Sequence, residues 1–324
     1  MSTAIAMRDE IVTVFGGSGF LGRHIVQALA RRGWRIRVAV RNPDLAGFLQ
    51  PLGRVGQIHA VAANLRVKPS VIAAAHGSAA IVNLVGVLAE SGRQSFDAVH
   101  AFGAGAVADA ARELGAGLIH VSAIGADPES PSAYGRSKAA GEAAVRERVP
   151  PAVILRPSVV FGPEDGFFNR FAEIARLSPV MPVFAASMRL QPVFVGDVAE
   201  AVARVLDGGG RPATTYELGG PDIKTMREIL AYVLAVTGRR RPLVDVPMPI
   251  ARLLGSTLGM LPGAPLTADQ VRMLEADNVV ASAAVAEGRT LEGLGIDPVA
   301  IEAVVPTYLW RYRKTGQFDR QRLA

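Results

Sequence analysis

Hydrophobic positions in the first half of the chain form short β-branched runs, which are separated by alanine-rich stretches with helical spacing. Alternating strands and helices specify a parallel sheet, and nearly continuous apolar strands fit a sheet covered on both faces. The pattern therefore predicts an α/β fold with a Rossmann-type, doubly wound parallel sheet. The runs predicted as strands are Ile11 to Phe15, Ile36 to Val40, Ile58 to Ala62, Ala80 to Leu84, Gly117 to Ser122 and Ala152 to Leu155.

After residue 160 the alternation becomes irregular and prolines become frequent. We expect residues 1–160 to form the sheet domain, and residues 191–218 to return to it, because that segment again has a strand, helix and strand pattern. Residues 161–190 and 219–324 are then expected to form a smaller, discontinuous C-terminal lobe that ends in a basic tail. Asp197 and Thr225 stand where helix N-caps are expected.

A glycine-rich segment, Gly16-Gly17-Ser18-Gly19-Phe20-Leu21-Gly22, follows the first predicted strand and opens a helix over Arg23 to Ala30. Gly16 and Gly19 permit a tight turn and a close backbone approach to a pyrophosphate, and Gly22 permits close packing of helix on strand. The phosphate charge would lie at the helix N-terminus. Because strand, helix and next strand all stand where the motif requires, the segment predicts dinucleotide binding.

The end of the second predicted strand indicates which dinucleotide is bound. Arg41 stands where a protein selective for NAD would place an acidic residue for the ribose 2′-hydroxyl. An arginine there can pair with a 2′-phosphate instead. The sequence therefore favours NADP(H) over NAD(H), with Arg23 and Arg37 as further candidates near the phosphate.

A tyrosine and a lysine, Tyr134 and Lys138, lie four residues apart on one face of a predicted helix. The lysine can stabilise a phenolate and bind the nicotinamide ribose, so that Tyr134 could act as an acid or base in hydride transfer. Ser122, at the end of a strand, could polarise a carbonyl group. These three residues are the catalytic candidates, and binding of the ribose alone is the alternative role of the tyrosine and lysine.

Together these segments resemble the extended or atypical branch of the short-chain dehydrogenase/reductase superfamily over the whole chain. The resemblance also includes Asn64-Leu65 at the usual adenine contact, Asn83-Leu84-Val85-Gly86, and Arg156-Pro157-Ser158-Val159-Val160-Phe161-Gly162-Pro163. It implies that the cofactor contacts are Gly16, Gly19, Phe20, Leu21, Gly22, Arg41, Asn64, Leu65, Val85, Gly86, Tyr134, Lys138, Pro157 and Val159.

Four segments are similar, within that branch, to the NADPH-binding accessory subunit of respiratory complex I and its alphaproteobacterial relatives. They are Phe15 to Gly22, Val121 to Asp127, Gln191 to Val198 and Leu291 to Ile296. The resemblance implies a tightly bound dinucleotide with a structural or regulatory role, and docking on the peripheral arm of an NADH:quinone oxidoreductase.

Three departures from active extended members favour binding without turnover. Phe15 replaces a common threonine, Asn64 replaces the usual aspartate, and Ser122 lies only twelve residues before Tyr134. The leading hypothesis is therefore an NADP(H)-bound accessory or assembly subunit that has no turnover. The alternatives are an NADP(H)-dependent reductase or dehydrogenase acting on a lipid-like or quinone-like carbonyl compound, and a redox-sensing binding module.

Composition and charge narrow the remaining functions. The chain has no cysteine, which excludes disulfides and thiolate sites, and its five histidines lack metal-ligand spacing. With no visible export signal we expect a cytoplasmic protein. The net charge of +6 and the tail residues Arg311, Arg313, Lys314, Arg320 and Arg322 allow peripheral contact with an anionic membrane surface, on the cytoplasmic face of the inner membrane. No nucleic-acid motif accompanies the charge. Glu164 and Asp165 are expected to be solvated turn residues.

Overall fold

The computed structural model describes residues 7–258 and 267–314. Up to residue 157 its strands alternate with helices, and the helix between the second and third strands is a 3₁₀ helix, Pro43–Leu52. The strands and α-helices are β1 (Ile11–Phe15), α1 (Phe20–Arg31), β2 (Arg35–Val40), β3 (Ile58–Ala62), α2 (Lys68–Ala75), β4 (Ala80–Asn83), α3 (Phe102–Leu114), β5 (Gly117–Val121), α4 (Ala133–Arg148) and β6 (Val153–Pro157).

The elements that follow are shorter and less regular. They are β7 (Val160–Phe161), α5 (Phe168–Leu177), β8 (Met181–Phe184), β9 (Arg189–Leu190), β10 (Val193–Phe194), α6 (Val195–Arg204), β11 (Thr215–Leu218), β12 (Lys224–Thr225), α7 (Met226–Thr237), β13 (Leu243–Val246), α8 (Met248–Leu258), α9 (Ala268–Met273), α10 (Ser282–Ala286) and α11 (Ile301–Leu309).

Seven strands form one sheet in the order β3-β2-β1-β4-β5-β6-β11, and all the neighbouring pairs are parallel. This confirms the predicted doubly wound α/β fold, and each of the six predicted strands is present within two residues of its expected bounds. The chain leaves β1 toward β2 and later crosses to β4 on the other side. Ligands of such sheets bind at that reversal, beyond the carboxyl ends of the strands.

The described chain divides into two compact units. The first comprises residues 7–157, 196–218 and 281–297, and the second comprises residues 158–195, 219–258, 267–280 and 298–314. Segment 281–297, which we expected in the smaller lobe, belongs to the first unit: Ala281 donates to the buried Glu217 of β11 at 2.8 Å. Pairing with an existing sheet strand leaves a weak signal in the sequence, because the segment itself is not a strand.

Two local expectations in the segment 191–218 are wrong. The strand expected over 191–198 is reduced to the two residues of β10, which pair with β7 in the second unit rather than with the main sheet. Asp197 is a first-turn residue of α6 rather than its N-cap. By contrast, Thr225 is the N-cap of α7 and forms a reciprocal capping box with Glu228.

One layer of the core of the first unit lies between the sheet and the small-residue faces of α2, α3 and α4. Phe15, Ile81 and Leu118 point to this side of the sheet because alternate strand residues share a face. The facing side of α3 is mostly glycine and alanine, so the helix can approach the strands closely. This close layer brings α4 and the candidate tyrosine and lysine to the sheet edge.

The second unit has its own aromatic and aliphatic core, which includes Phe161, Phe168 and Tyr308. Asp165, which we expected to be solvated, is only 3% exposed. Its carboxylate accepts hydrogen bonds from the main-chain N–H groups of Gly162 and Phe167 and from the hydroxyl of Tyr308. A tertiary partner more than a hundred residues away thus buries a side chain that its local turn alone would expose.

Within the described residues, the structure contains no helix that is both long and apolar enough to cross a membrane. The apolar segment around α8 is buried on one side only: Ala251 is buried, whereas Ile250 and Leu253 are exposed. The last residues of the basic tail, Arg320 and Arg322 among them, lie outside the described part of the chain.

Candidate functional site

The glycine turn joins β1 to α1 at the centre of the sheet edge. Gly16 has φ +81°, a left-handed conformation that favours glycine. A Cβ on Gly22 would stand 2.6 Å from the Cα of Gly17, so only glycine lets α1 pack against the turn. A Cβ on Gly19 would meet one atom at 3.4 Å, the Gly16 oxygen, so the space beside Gly19 is open. Gly16 thus forms the tight turn and Gly22 the close helix packing, whereas the approach of a pyrophosphate to the turn stays a prediction.

The first turn of α1 follows the glycine turn directly, and no side chain caps its main-chain N–H groups within the described residues. Gly19 is the N-cap and offers no side-chain acceptor, and the turn that includes Phe20 and Leu21 contains no acidic residue. Helix N-termini carry a partial positive charge and unsatisfied donors, which suit an anion. The geometry fits a pyrophosphate held by main-chain groups.

Arg41 directly follows β2 and lines an open pocket of about 350 Å³ together with Ser18, Val40, Asn42 and Leu45. The exposed guanidinium and the Ser18 hydroxyl are both able to donate to a phosphate. The pocket lies between the glycine turn and the end of β2, where the predicted ribose would lie.

The two other arginine candidates do not line this pocket, although Arg23 Nε lies 3.5 Å from the main-chain oxygen of Gly19 in the glycine turn. Arg37 donates to the main-chain oxygens of Ala74 and His76 at 2.9 and 2.7 Å, and so binds the end of α2. The Arg23 guanidinium lies over the ring of Phe48, 5.1 Å from its centroid. Among the three, Arg41 is the arginine that lines the pocket.

The segment after β3 contains the adenine candidates. The side-chain oxygen of Asn64 accepts from the main-chain N–H of Arg66 at 3.1 Å, which closes a turn, and the Asn64 N–H donates to the Ser70 hydroxyl. Leu65 packs against Gly103 of α3, where an added Cβ would be 3.2 Å away. Both residues are half-buried at the same sheet edge as the glycine turn.

Val85 and Gly86 follow β4 and lie beside both the glycine turn and the lysine. A Cβ on Gly16 would be 3.2 Å from a Val85 methyl group, and a Cβ on Gly86 would be 3.5 Å from Lys138 Nζ. The tertiary structure thus joins two motifs that are more than a hundred residues apart in sequence.

Lys138 lies on α4, which begins after the N-cap Ser132, whose hydroxyl accepts from the Gly135 N–H. Its side chain is 6% exposed, and Nζ donates to the oxygen of Val121 at 3.1 Å. Burial lowers the pKa of Lys138 to about 8, although the carboxylate of Glu142 opposes this shift. Within residues 7–258 and 267–314 Nζ donates to no other acceptor, so two of its three protons remain available for a ligand.

Tyr134 lies one helical turn before the lysine. Its ring contacts Phe96 and His100 edge-on, at centroid distances of 5.9 and 5.4 Å. Burial raises the pKa of Tyr134 to about 12, so the hydroxyl holds its proton at neutral pH. The protonated hydroxyl of Tyr134 is a hydrogen-bond donor and a potential acid.

Ser122, directly after β5, is buried, and its hydroxyl has no hydrogen-bond partner within the described part of the chain. A buried hydroxyl without a partner costs free energy unless a ligand or water satisfies it. The Ser122 hydroxyl is therefore available to a polar ligand atom, and its role in polarising a carbonyl group stays a prediction. Pro157 ends β6 in the same unit and accepts from Ile124, whereas Val159 belongs to the second unit.

His100 is a site residue that sequence reasoning did not identify. It lies in a single wide π-type turn, Asp97–Ala101, just before α3. Its Nε2 accepts from the Val87 N–H at 3.0 Å, and Nδ1 lies 2.8 Å from the hydroxyl of Ser137. The Ser137 hydroxyl donates its one proton to the main-chain oxygen of Tyr134. Its oxygen must therefore accept the bond from His100 Nδ1–H. Burial, with Lys138 nearby, lowers the His100 pKa to about 3, so the ring is neutral.

An ion pair joins α4 to β6, and its carboxylate is buried. Arg156 of β6 donates through two nitrogens to both carboxylate oxygens of Glu142, at 2.7 and 2.8 Å. Because buried ion pairs are strongly geometry-dependent, the pair fixes the register of α4 against the sheet. Sequence spacing gave no signal for this contact, since the two residues are fourteen positions apart on different elements.

The site residues placed by the structure at one sheet edge include the glycine turn, Arg41, Asn64, Gly86, Ser122, Tyr134 and Lys138. Residues 7–258 and 267–314 contain no cluster of histidine, aspartate or glutamate side chains that could hold a metal ion. The arrangement suits a dinucleotide and a polar group beside a protonated phenol.

A model of the RmlD substrate binding domain family matches residues 10–244. The chain is also similar to the mitochondrial NADH dehydrogenase (ubiquinone) 1 alpha subcomplex subunit 9. With the protein from Arabidopsis thaliana the identity is 31% over 316 residues, covering 94% of this chain and 79% of the relative. With the protein from Dictyostelium discoideum it is 34% over 231 residues, covering 71% of this chain and 64% of the relative.

Two further similarities are to a reductase and to an oxidoreductase. A ceramide reductase from Caulobacter vibrioides is 33% identical over 246 residues, which is 74% of each chain. Among solved structures, an NADPH-dependent quinone oxidoreductase from Escherichia coli in complex with NADPH has the same fold. Its TM-score is 0.72 and its identity 21%, over 92% of this chain and 99% of that one.

Proposed function

This chain belongs to the extended short-chain dehydrogenase/reductase family of NAD(P)-binding proteins, and we propose that it binds NADP(H) as an accessory subunit of a respiratory NADH:quinone oxidoreductase. In this proposal the dinucleotide pyrophosphate lies on the glycine turn, the adenosine 2′-phosphate on Arg41 and Ser18, and the nicotinamide ribose on Lys138.

The observation that carries cofactor choice is the pocket at the end of β2. Arg41 and Ser18 line it, and within the described residues neither an aspartate nor a glutamate is among its lining residues. An acidic side chain there would favour the 2′-hydroxyl of NAD, whereas a guanidinium favours a phosphate. The dinucleotide, when bound, supplies hydride chemistry, and this chain's own residues bind and orient it.

The accessory role is supported by the similarity to complex I subunits over almost the whole chain. A ligand specific for the folded state stabilises that state by an amount that rises with the logarithm of the ligand concentration divided by its dissociation constant. We therefore propose that bound NADP(H) stabilises this subunit while it is docked, without turnover, on the membrane-proximal part of the complex at the cytoplasmic face.

Co-isolation tests the accessory role. Native membranes solubilised in mild detergent are resolved by size, and the chain is expected to migrate with the NADH:quinone oxidoreductase and to retain NADP(H). A chain that migrates alone, from cells in which the complex itself is intact, would contradict the role. Binding of NADPH to the purified chain would still stand, because it is measured separately.

A second function, reduction of a lipid-like or quinone-like carbonyl compound, is favoured by the intact Ser122, Tyr134 and Lys138. The Ser122 hydroxyl has no partner within the described residues and can donate to a carbonyl oxygen. Tyr134, protonated at neutral pH, can then pass its proton to that oxygen, with the charge on Lys138 lowering the cost of the phenolate. The similarity to a ceramide reductase supports a lipid-like carbonyl compound as the substrate class.

Turnover distinguishes the two functions. Purified chain is incubated with NADPH and a set of lipid-like and quinone-like carbonyl compounds, and oxidation of NADPH is followed by absorbance. Turnover that is lost in Tyr134→Phe, while NADPH affinity is retained, would establish the reductase. No turnover in wild type, with NADPH bound, would leave the accessory role as the function.

A further inference from the structure

A group of arginines meets at the ends of two helices in the second unit. Arg241 donates to the oxygen of Ala175 near the end of α5, at 3.1 Å, and Arg313 donates to the oxygen of Val236 near the end of α7, at 2.9 Å. Arg239 donates twice to the oxygen of Tyr312, at 3.0 and 2.8 Å. These bonds hold three arginine side chains on main-chain oxygens of the second unit, and Arg240 lies between two of them in the sequence. We call Arg176, Arg239, Arg240, Arg241 and Arg313 the arginine cluster.

The charges of the cluster are poorly balanced. The charges that act on Arg239 are those of Arg241 and Arg176, which lower its pKa, and that of Glu173, which raises it, after the larger effect of burial. Glu173 is paired with Arg176 at 2.5 Å. Five arginines and this one glutamate leave a net charge of +4. Two helix C-termini offset part of the repulsion, but each carries only about half a negative charge.

Apolar side chains stand exposed directly beside these charges. Leu177, which follows Arg176 at the end of α5, is 72% exposed, and Val180 is 38% exposed. The turn between them is held next to the cluster, because Met181 donates to the oxygen of Pro242 at 2.9 Å. Leucine and valine with arginines on both sides form a surface that is both apolar and cationic.

We propose that the arginine cluster binds the phosphates of an anionic phospholipid bilayer, with Leu177 and Val180 entering the interface between headgroups and acyl chains. Cations and exposed apolar side chains on one surface match that boundary, where phosphate and hydrocarbon are adjacent. An acidic protein surface would satisfy the arginines and leave Leu177 exposed. The inference goes beyond the proposed function, since it does not require a bound dinucleotide or a partner subunit.

The test uses the full chain and sedimentation with two kinds of vesicle, one of phosphatidylcholine with phosphatidylglycerol and one of phosphatidylcholine alone. Wild type is expected to bind the anionic vesicles at low salt and to lose that binding at high salt. It is expected not to sediment with the neutral vesicles. Arg176→Gln and Arg240→Gln are changed together, because neither side chain donates to a main-chain oxygen in any contact described above. At about fivefold per arginine, partitioning is expected to fall about 25-fold.

Matched variants separate the cluster from overall charge. Arg35→Gln with Arg54→Gln removes the same charge from exposed positions of the first unit and is expected to change partitioning by less than twofold, roughly. Arg320→Gln with Arg322→Gln removes two charges from the tail. This double variant is expected to reduce partitioning less than Arg176→Gln with Arg240→Gln. Leu177→Ser is expected to weaken binding with no change in net charge.

Three results would overturn the proposal. They are equal binding to both kinds of vesicle, equal partitioning of the cluster and control variants, and binding of wild type to poly-glutamate but not to anionic vesicles. The last result would indicate an acidic protein partner instead. NADPH affinity, measured on the same samples, is expected to be unchanged by all these variants, so failure here is distinguishable from failure of the proposed function.

Discussion

The ammonium group of Lys138 donates a hydrogen bond of 3.1 Å to the main-chain oxygen of Val121, and so a cation is buried at the carboxyl edge of the sheet. Burial depresses its pKa from 10.5 to about 8. Below pH 8 the ammonium group is charged but shielded from water in the folded chain, whereas it is hydrated in the unfolded chain. The buried charge therefore destabilises the folded state.

The pH dependence of stability follows from that shift. Between pH 8 and 10.5 the unfolded chain binds more protons at Lys138 than the folded chain, so this residue makes stability rise with pH in that window. Across this pH window the free energy of unfolding of wild type is expected to rise by up to about 3 kcal/mol relative to that of Lys138→Met. Urea unfolding of both proteins at several pH values measures the difference, and a difference that is constant with pH would contradict the buried charge.

Substitution of Arg41 tests the choice of dinucleotide. Arg41→Gln removes the guanidinium from the pocket it shares with Ser18. Losing a hydrogen bond to a charged group costs about 1.5–3 kcal/mol, so NADPH affinity is expected to fall about tenfold to a hundredfold. NADH affinity, titrated in parallel, is expected to stay constant, as is NADPH affinity in the control Arg54→Gln. An equal loss for both dinucleotides would show that Arg41 does not recognise the 2′-phosphate.

The glycine turn is tested by adding one methyl group. Gly22→Ala places a Cβ 2.6 Å from Gly17, so α1 must shift, at about 1–3 kcal/mol of stability. NADPH affinity is expected to fall as well, because the shift moves the first turn of α1. Gly166→Ala is the control, since an added Cβ there meets no atom within 4 Å. Calorimetry on both variants, with and without NADPH, provides the measurement.

His100 is expected to hold the loop after β4 against α4. His100→Phe keeps the stacking on Phe96 but removes the bonds to Val87 and Ser137. Ser137 keeps its bond to the main-chain oxygen of Tyr134, but the Val87 N–H loses its partner at a cost of about 1–3 kcal/mol, so the loop shifts and NADPH affinity is expected to fall about tenfold. Binding of 2′,5′-ADP, which lacks the nicotinamide half, is expected to be unaffected. A parallel loss for both ligands would indicate general damage to the fold instead.

In the second unit, Tyr308→Phe removes the hydroxyl that donates to Asp165 at 2.5 Å. The buried carboxylate keeps its main-chain donors but loses one charge-assisted bond, which is expected to cost about 1.5–3 kcal/mol. Tyr312→Phe is the matched control, since a phenylalanine ring keeps the contact with the Arg311 guanidinium. Thermal unfolding of the two variants decides, and equal melting temperatures would contradict a stabilising role for the Tyr308 hydroxyl.

The sequence by itself determined the parallel sheet, the bounds of its central strands and the turn from Gly16 to Gly22. These are local properties, because a strand's apolar run and a turn's need for positive φ are visible in adjacent residues. The spacing of Tyr134 and Lys138 on one helix face is local in the same sense. Their proposed roles remain predictions.

Only the tertiary structure decided which distant groups meet. His100 reaches Ser137, Glu142 pairs with Arg156, and Asp165 is buried by Tyr308, although each has an unremarkable neighbourhood in the sequence. The assignment of segment 281–297 to the first unit is of the same kind. Burial and pairing depend on what packs against a side chain from elsewhere in the chain, and hydrophobic periodicity does not record that information.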